Sequence, residues 1–128
     1  MRSILIYLDT HVVVWLYAGL TTLFSQRVRE LINRSEIYIS PIVRLELQYL
    51  YEINRISEEP DTIVTDLANR IALQVDQESF DTIISKALAI SWTRDPFDRI
   101  IAAQAGLNSH ILVTKDRTFL KNYPSAIW

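Results

Sequence analysis

Five apolar residues in a row, Ile4–Leu8, stop abruptly at Asp9. A continuous aliphatic run of that length, with no polar alternation, predicts a strand buried on both faces of a parallel sheet. Residues 12–17 follow as a short buried helix. Ser25 is placed to cap a helix over 25–33, with Val28, Leu31 and Ile32 on one face. A second short strand covers 37–39. Ser40 then caps a helix with Pro41 at its first position, where proline is tolerated, and the helix continues to about Asn54. Further helices are expected over 61–70, over 79–89 behind Ser79, and from Asp95-Pro96 to about Gly106. A weak strand at 72–75, a clear one at 111–114 and a helical turn at Phe119-Leu120 complete the pattern. Strands separated by pairs of helices imply an α/β fold, a parallel sheet covered by helices on both faces. No internal repeat is visible.

Composition narrows the classes. A chain of 128 residues, 49% of them hydrophobic, is one domain over residues 1–128 with a real core. With two glycines and four prolines it is not a linker or low-complexity segment. The absence of cysteine removes disulfide scaffolds, zinc ribbons and thiol catalysis, and two histidines are too few for a His-rich metal site. The first apolar run is shorter than the roughly 7–15 residues of a signal core, and no stretch approaches the about 20 of a membrane span. A cytoplasmic protein with no membrane partner is expected.

The net charge of −2 argues weakly against a nucleic-acid binder, but its distribution is uneven. Residues 1–45 carry five arginines and three acids, residues 46–85 two arginines and nine acids. Residues 86–128 carry six bases and only Asp95, Asp98 and Asp116 as acids. One reading is a solvated face; the other is a carboxylate site ringed by cations and suited to an anionic polymer.

Four acidic features fall where chemistry is expected. Asp9 directly follows the first strand, and Asp116 lies two residues beyond Thr114, at the end of the last. Ligands of open α/β sheets bind outside the carboxyl ends of strands, although an acid there also serves as an ordinary helix cap. Glu46 sits in a helix that reads apolar nearly all round, so it should be partly buried; otherwise it lies on a polar seam with Arg44 and Gln48. In Asp95-Pro96-Phe97-Asp98, Asp95 reads as the cap and Asp98 as the third-position acid, which also holds Asp98 rigidly. Converging acids repel one another without a cation. Mg²⁺ and Mn²⁺ prefer hard oxygen ligands, and with one or two such ions the set becomes a phosphoryl-transfer site. There is no G-x-S-x-G, no P-loop and no Ser-His-Asp order; His11 and His110 read as structural.

Taken together, Leu8-Asp9-Thr10-His11, Glu46, Asp95-Pro96-Phe97-Asp98-Arg99 with Ile101-Ala102-Ala103-Gln104-Ala105, and Leu112-Val113-Thr114-Lys115-Asp116 resemble the PIN domain. More narrowly they resemble VapC-type toxin ribonucleases of type II toxin–antitoxin pairs. Each motif is weak alone; the ordered set, spanning Leu8 to Asp116, is specific. The resemblance implies an α/β/α sandwich around a parallel sheet, with Asp9, Glu46, Asp98 and Asp116 as the catalytic quartet. Thr114 would support it and Asp95 would be an additional acid. It implies Mg²⁺- or Mn²⁺-dependent cleavage of RNA, a homodimer, and a cognate VapB-type antitoxin. Asp9 and Asp98 are then the expected direct metal ligands, Glu46 and Asp116 completing the site through water or a second ion. Arg99, Arg94 and Lys115 are candidate phosphate contacts, with surface salt bridges as the plainer alternative. One departure is visible: where many relatives carry Ser or Thr three residues before the helix Glu, this chain has Val43.

Two other functions compete. A phosphotransfer or phosphatase domain on a related doubly wound sheet would use Asp9 as a nucleophile, yet Thr10-His11 stand where a receiver-like site has another acid. A non-catalytic scaffold binding RNA or protein would have its acids dispersed or neutralised by arginine.

Overall fold

The computed structural model describes residues 4–128; Arg2, counted among the arginines of the first third, lies outside them. β1 (Ile4–Leu8) is the central strand, flanked by β2 (Ser35–Ile39) and β4 (Ile111–Val113). β3 (Gln74–Val75) and β5 (Ala126–Ile127) close the edges, giving the order β3-β2-β1-β4-β5 with every pairing parallel. The centre explains the opening run of the sequence: Ile6 and Leu8 are fully buried, Tyr7 nearly so. Shortening such a residue to alanine costs about 2–5 kcal/mol.

Seven α-helices among the described residues flank the sheet as an α/β/α sandwich: α1 (Thr10–Ala18), α2 (Gln26–Arg34), α3 (Pro41–Glu52), α4 (Pro60–Ile71), α5 (Phe80–Ala87), α6 (Pro96–Gly106) and α7 (Arg117–Asn122). Their starts follow local chemistry. Ser25, Ser40 and Ser79 accept from the backbone N–H of Val28, Ile42 and Thr82. Pro41, Pro60 and Pro96 occupy first helical positions. α1 ends on Gly19 at φ 73°, a left-handed conformation that glycine adopts without strain. A second small cluster, Ile83, Ala87 and Ala103, locks α5 onto α6.

Three expectations need correction. β5 was not foreseen, because two residues carry no periodicity; it forms because Leu112 and Thr114 donate to the carbonyls of Ser125 and Ile127 at 3.0 Å each. The weak strand at 72–75 shrinks to two residues, since Ala72 at φ 57° terminates α4. α3 is not covered all round: Leu45, Tyr49 and Ile53 are 57%, 50% and 43% exposed along one edge. No helix among the described residues is long and apolar enough to cross a membrane.

Candidate active site

Strand order reverses between β2-β1 and β1-β4, so the carboxyl ends of β1 and β4 border the crevice where such sheets bind ligands. Asp9 stands there. Its N–H donates to the Val113 carbonyl at 3.0 Å, tying it to β4. Its Oδ1 accepts from the Thr10 N–H at 2.8 Å, and its Oδ2 from the Thr114 hydroxyl at 2.8 Å. The residue is only 6% exposed. Burial raises its pKa above the ordinary carboxylate value and the nearby Asp116 adds to this; the bonds from Thr114 and Thr10, and His11, pull the other way.

Thr114 links two acids. Its hydroxyl, fully buried, donates to Asp9 and accepts from the Asp116 N–H at 3.0 Å. Asp116 caps α7, with Oδ1 accepting from the N–H groups of Thr118 (2.8 Å) and Phe119 (3.1 Å). Its Oδ2 has no protein partner among the described residues.

Glu46 reaches the same region from the second turn of α3. Half-buried, it accepts a hydrogen bond from the buried Thr10 hydroxyl. Its pKa is raised, chiefly by burial and then by Asp9 and Asp95, against the Thr10 bond and His11. Asp98 enters on the first turn of α6. Asp95 accepts from the Asp98 N–H at 3.1 Å, so Asp95 caps the helix that holds Asp98 in place. Asp98 is pushed up to about 7, first by burial and then by the charges of Asp95, Asp9, Glu46 and Asp116. Five acids from four separate segments therefore act on one another.

Among the described residues, none of these acids is ion-paired. The salt bridges among the described residues run from Arg44 to Asp61 and from Arg70 to Asp66. Nor does a scaffold with arginine-neutralised acids describe the site.

Arg99 does not join the group. Its guanidinium donates to the carbonyl of Ala87 at 3.1 Å, latching the end of α5. Arg94 is exposed. Lys115 does border the acids, in a cleft of about 200 Å³ lined by Asp9, His11, Trp15, Lys115 and Asp116. Val43 is fully buried in the core, and the hydroxyl that meets Glu46 comes from Thr10 instead. The role of Thr10 was missed because its partner is 36 residues away; its position beside Asp9 was the one available signal.

The donor set suits a hard divalent cation. Among the described residues no three His, Asp or Glu side chains stand close enough to clasp one ion directly. Mg²⁺ usually takes one or two carboxylates and keeps several waters, so this arrangement fits a partly hydrated ion rather than an all-protein cage.

A parallel α/β/α sandwich with unneutralised carboxylates at its switch point is the class defined by this fold and site. The chain belongs to the PIN domain family, whose model matches residues 6–123. No curated protein matches the sequence significantly. Solved structures share the fold. One is VapBC2 from Rickettsia felis bound to a DNA fragment from their promoter, at TM-score 0.68 and 22% identity, covering 97% of this chain and 96% of that one. Another is DNA-bound VapBC from Salmonella typhimurium, at 0.60 and 21%, covering 96% and 95%. A third is VapBC-1 from nontypeable Haemophilus influenzae, at 0.61 and 18%, covering 92% and 91%.

Proposed function

We propose that this chain is a Mg²⁺- or Mn²⁺-dependent endoribonuclease, the VapC-type toxin of a type II toxin–antitoxin pair. Membership of the PIN family and the fold shared with VapBC proteins support the class. The observation that carries the chemistry is the mutual repulsion of Asp9, Glu46, Asp98 and Asp116, with no cationic side chain paired to any of them among the described residues.

Asp9 and Asp98 are the proposed direct ligands, with Glu46 and Asp116 completing the site. A bound divalent ion supplies positive charge that activates water and steadies the anionic transition state of phosphodiester hydrolysis. Thr114 and Thr10 aim Asp9 and Glu46 through hydrogen bonds to one oxygen of each. Asp95 fixes the first turn of α6 and so the position of Asp98. The partners that follow are an RNA substrate, a VapB-type antitoxin and a second copy of the chain. Protein docking is supported by the exposed apolar residues Leu45, Tyr49, Ile53 and Phe80.

Purified protein should cleave RNA in Mn²⁺ or Mg²⁺ and stop in EDTA. Asp9→Asn and Asp98→Asn should remove cleavage while keeping a cooperative thermal transition. Full activity in either folded variant would falsify the ligand assignment. Growth arrest on induction, relieved by co-expressing the adjoining open reading frame, tests the toxin reading.

A further inference from the structure

We propose that the cleft beside the acids is a nucleotide subsite, in which His11 and Trp15 stack against one base of single-stranded RNA and Lys115 holds the adjacent phosphate. The inference rests on the nuclease reading above and assigns it a substrate contact outside the carboxylates.

The cleft, about 200 Å³, is lined by Asp9, His11, Trp15, Lys115 and Asp116, so it opens directly onto two of the acids. It has room for one flat ring system. His11 and Trp15 are one helical turn apart on α1 and share a face. Their ring centroids are 6.2 Å apart and tilted by 46°, so they make a splayed wall rather than a closed stack. His11 is exposed, and packing does not account for its ring.

Trp15 is held from behind. Trp128 meets it edge-on at 5.7 Å, Phe24 lies at 6.5 Å, and Phe24 and Trp128 contact each other at 5.3 Å. The indole is therefore fixed before a ligand arrives, which lowers the entropy cost of binding. Lys115 is exposed, and its ammonium lies 5.7 Å from the Trp128 ring centroid. No carboxylate among the described residues pairs with it, so its charge is free for a phosphate. A core aromatic cluster explains Trp128 and Phe24. It leaves unexplained why an exposed imidazole and an ammonium with no carboxylate partner among the described residues border the same cleft as Asp9 and Asp116. Aromatic faces beside a cation are what single-stranded RNA binding needs: stacking accepts any base, and the cation follows the backbone.

The test is binding without catalysis. A short mixed-sequence RNA oligonucleotide is titrated in EDTA while tryptophan fluorescence is read. Of the three tryptophans, Trp92 packs against Phe119 at 5.5 Å and does not line this cleft. Trp92→Phe should keep the quench and Trp15→Phe should lose most of it. His11→Ala should weaken binding roughly tenfold. Lys115→Gln should reduce the slope of log affinity against log salt by about 0.7. Both altered side chains are exposed, so wild-type thermal midpoints are expected. Wild-type affinity and salt slope in both variants, or no quench by RNA at any salt, overturns the subsite. Cleavage in Mn²⁺ with those unaltered variants leaves the nuclease standing and the subsite refuted. Binding that follows the predicted pattern without cleavage in any divalent ion leaves the subsite standing and the nuclease refuted.

Discussion

Asp9 and Asp76 both follow a strand of the same parallel sheet, at the same end, yet their surroundings are opposite. Asp76 comes after β3. Its Oδ2 accepts from the Tyr7 hydroxyl at 2.6 Å and from the Gln104 amide at 2.9 Å, and its Oδ1 from the Gln77 N–H at 2.8 Å. Burial works to raise its pKa, but these donors outweigh burial and the net shift is downward. Tyr7 moves the other way: burial first, then the Asp76 carboxylate, push its hydroxyl well above the usual phenol range. Asp9 is more deeply buried, has two donors, faces other acids, and its pKa rises. A carboxylate after a strand is thus no signature of chemistry. The difference lies in whether donors from the protein satisfy the charge. At Asp76 they do, and the group is structural. Around Asp9 the negative charges exceed the donors, which leaves a place for a cation.

The comparison can be tested at both ends. The largest effect expected, after loss of an acid itself, is from Thr114→Val, which frees Asp9 Oδ2. Cleavage should fall about 10–100-fold, the usual cost of removing a residue that orients a metal ligand, with the fold kept by circular dichroism. Tyr7→Phe should do the reverse. It withdraws a donor from a charged group and should cost about 1.5–3 kcal/mol in denaturant unfolding, leaving specific activity unchanged. A large loss of activity there would erase the distinction.

The smallest effect is a difference in pH dependence. Asp98 has its pKa raised from 3.8 to about 7 in the folded chain. Between those values the folded state keeps a proton that the unfolded state has released, so metal-free stability falls as pH rises through that window. Asp98→Asn should flatten that fall, by about 1 kcal/mol at neutral pH after solvent screening of this partly exposed group. Asp76, with its pKa lowered, stabilises the fold above its ordinary value and loses that contribution as acid protonates it. Asp76→Asn should therefore flatten the acid limb instead. Unfolding curves in EDTA across pH separate the two.

Much of this was legible along the chain. The central strand, the serine and proline helix starts, the Asp95 cap and the acids at strand ends each depend on a few neighbouring residues. Periodicity and capping are local, so they survive translation into structure. Arg99 shows where that stops. Its place in the motif made it a candidate phosphate contact, while α5 packing onto α6 presented the Ala87 carbonyl to its guanidinium instead. The edge strand β5 and the exposed row on α3 were likewise invisible, since both depend on which segment lies alongside.

Sequence alone thus settled which residues carry charge and where most helices and the central strands begin, because those follow from backbone sterics and short-range patterning, and the alternation of strands with helices implied a parallel sheet. Only the tertiary arrangement decided which charges meet. Thr114 reaches Asp9 across 105 residues, Thr10 reaches Glu46 across 36, and Tyr7 reaches Asp76 across 69. Strand order sets those encounters, and burial then decides whether each carboxylate finds donors enough or is left facing its own kind.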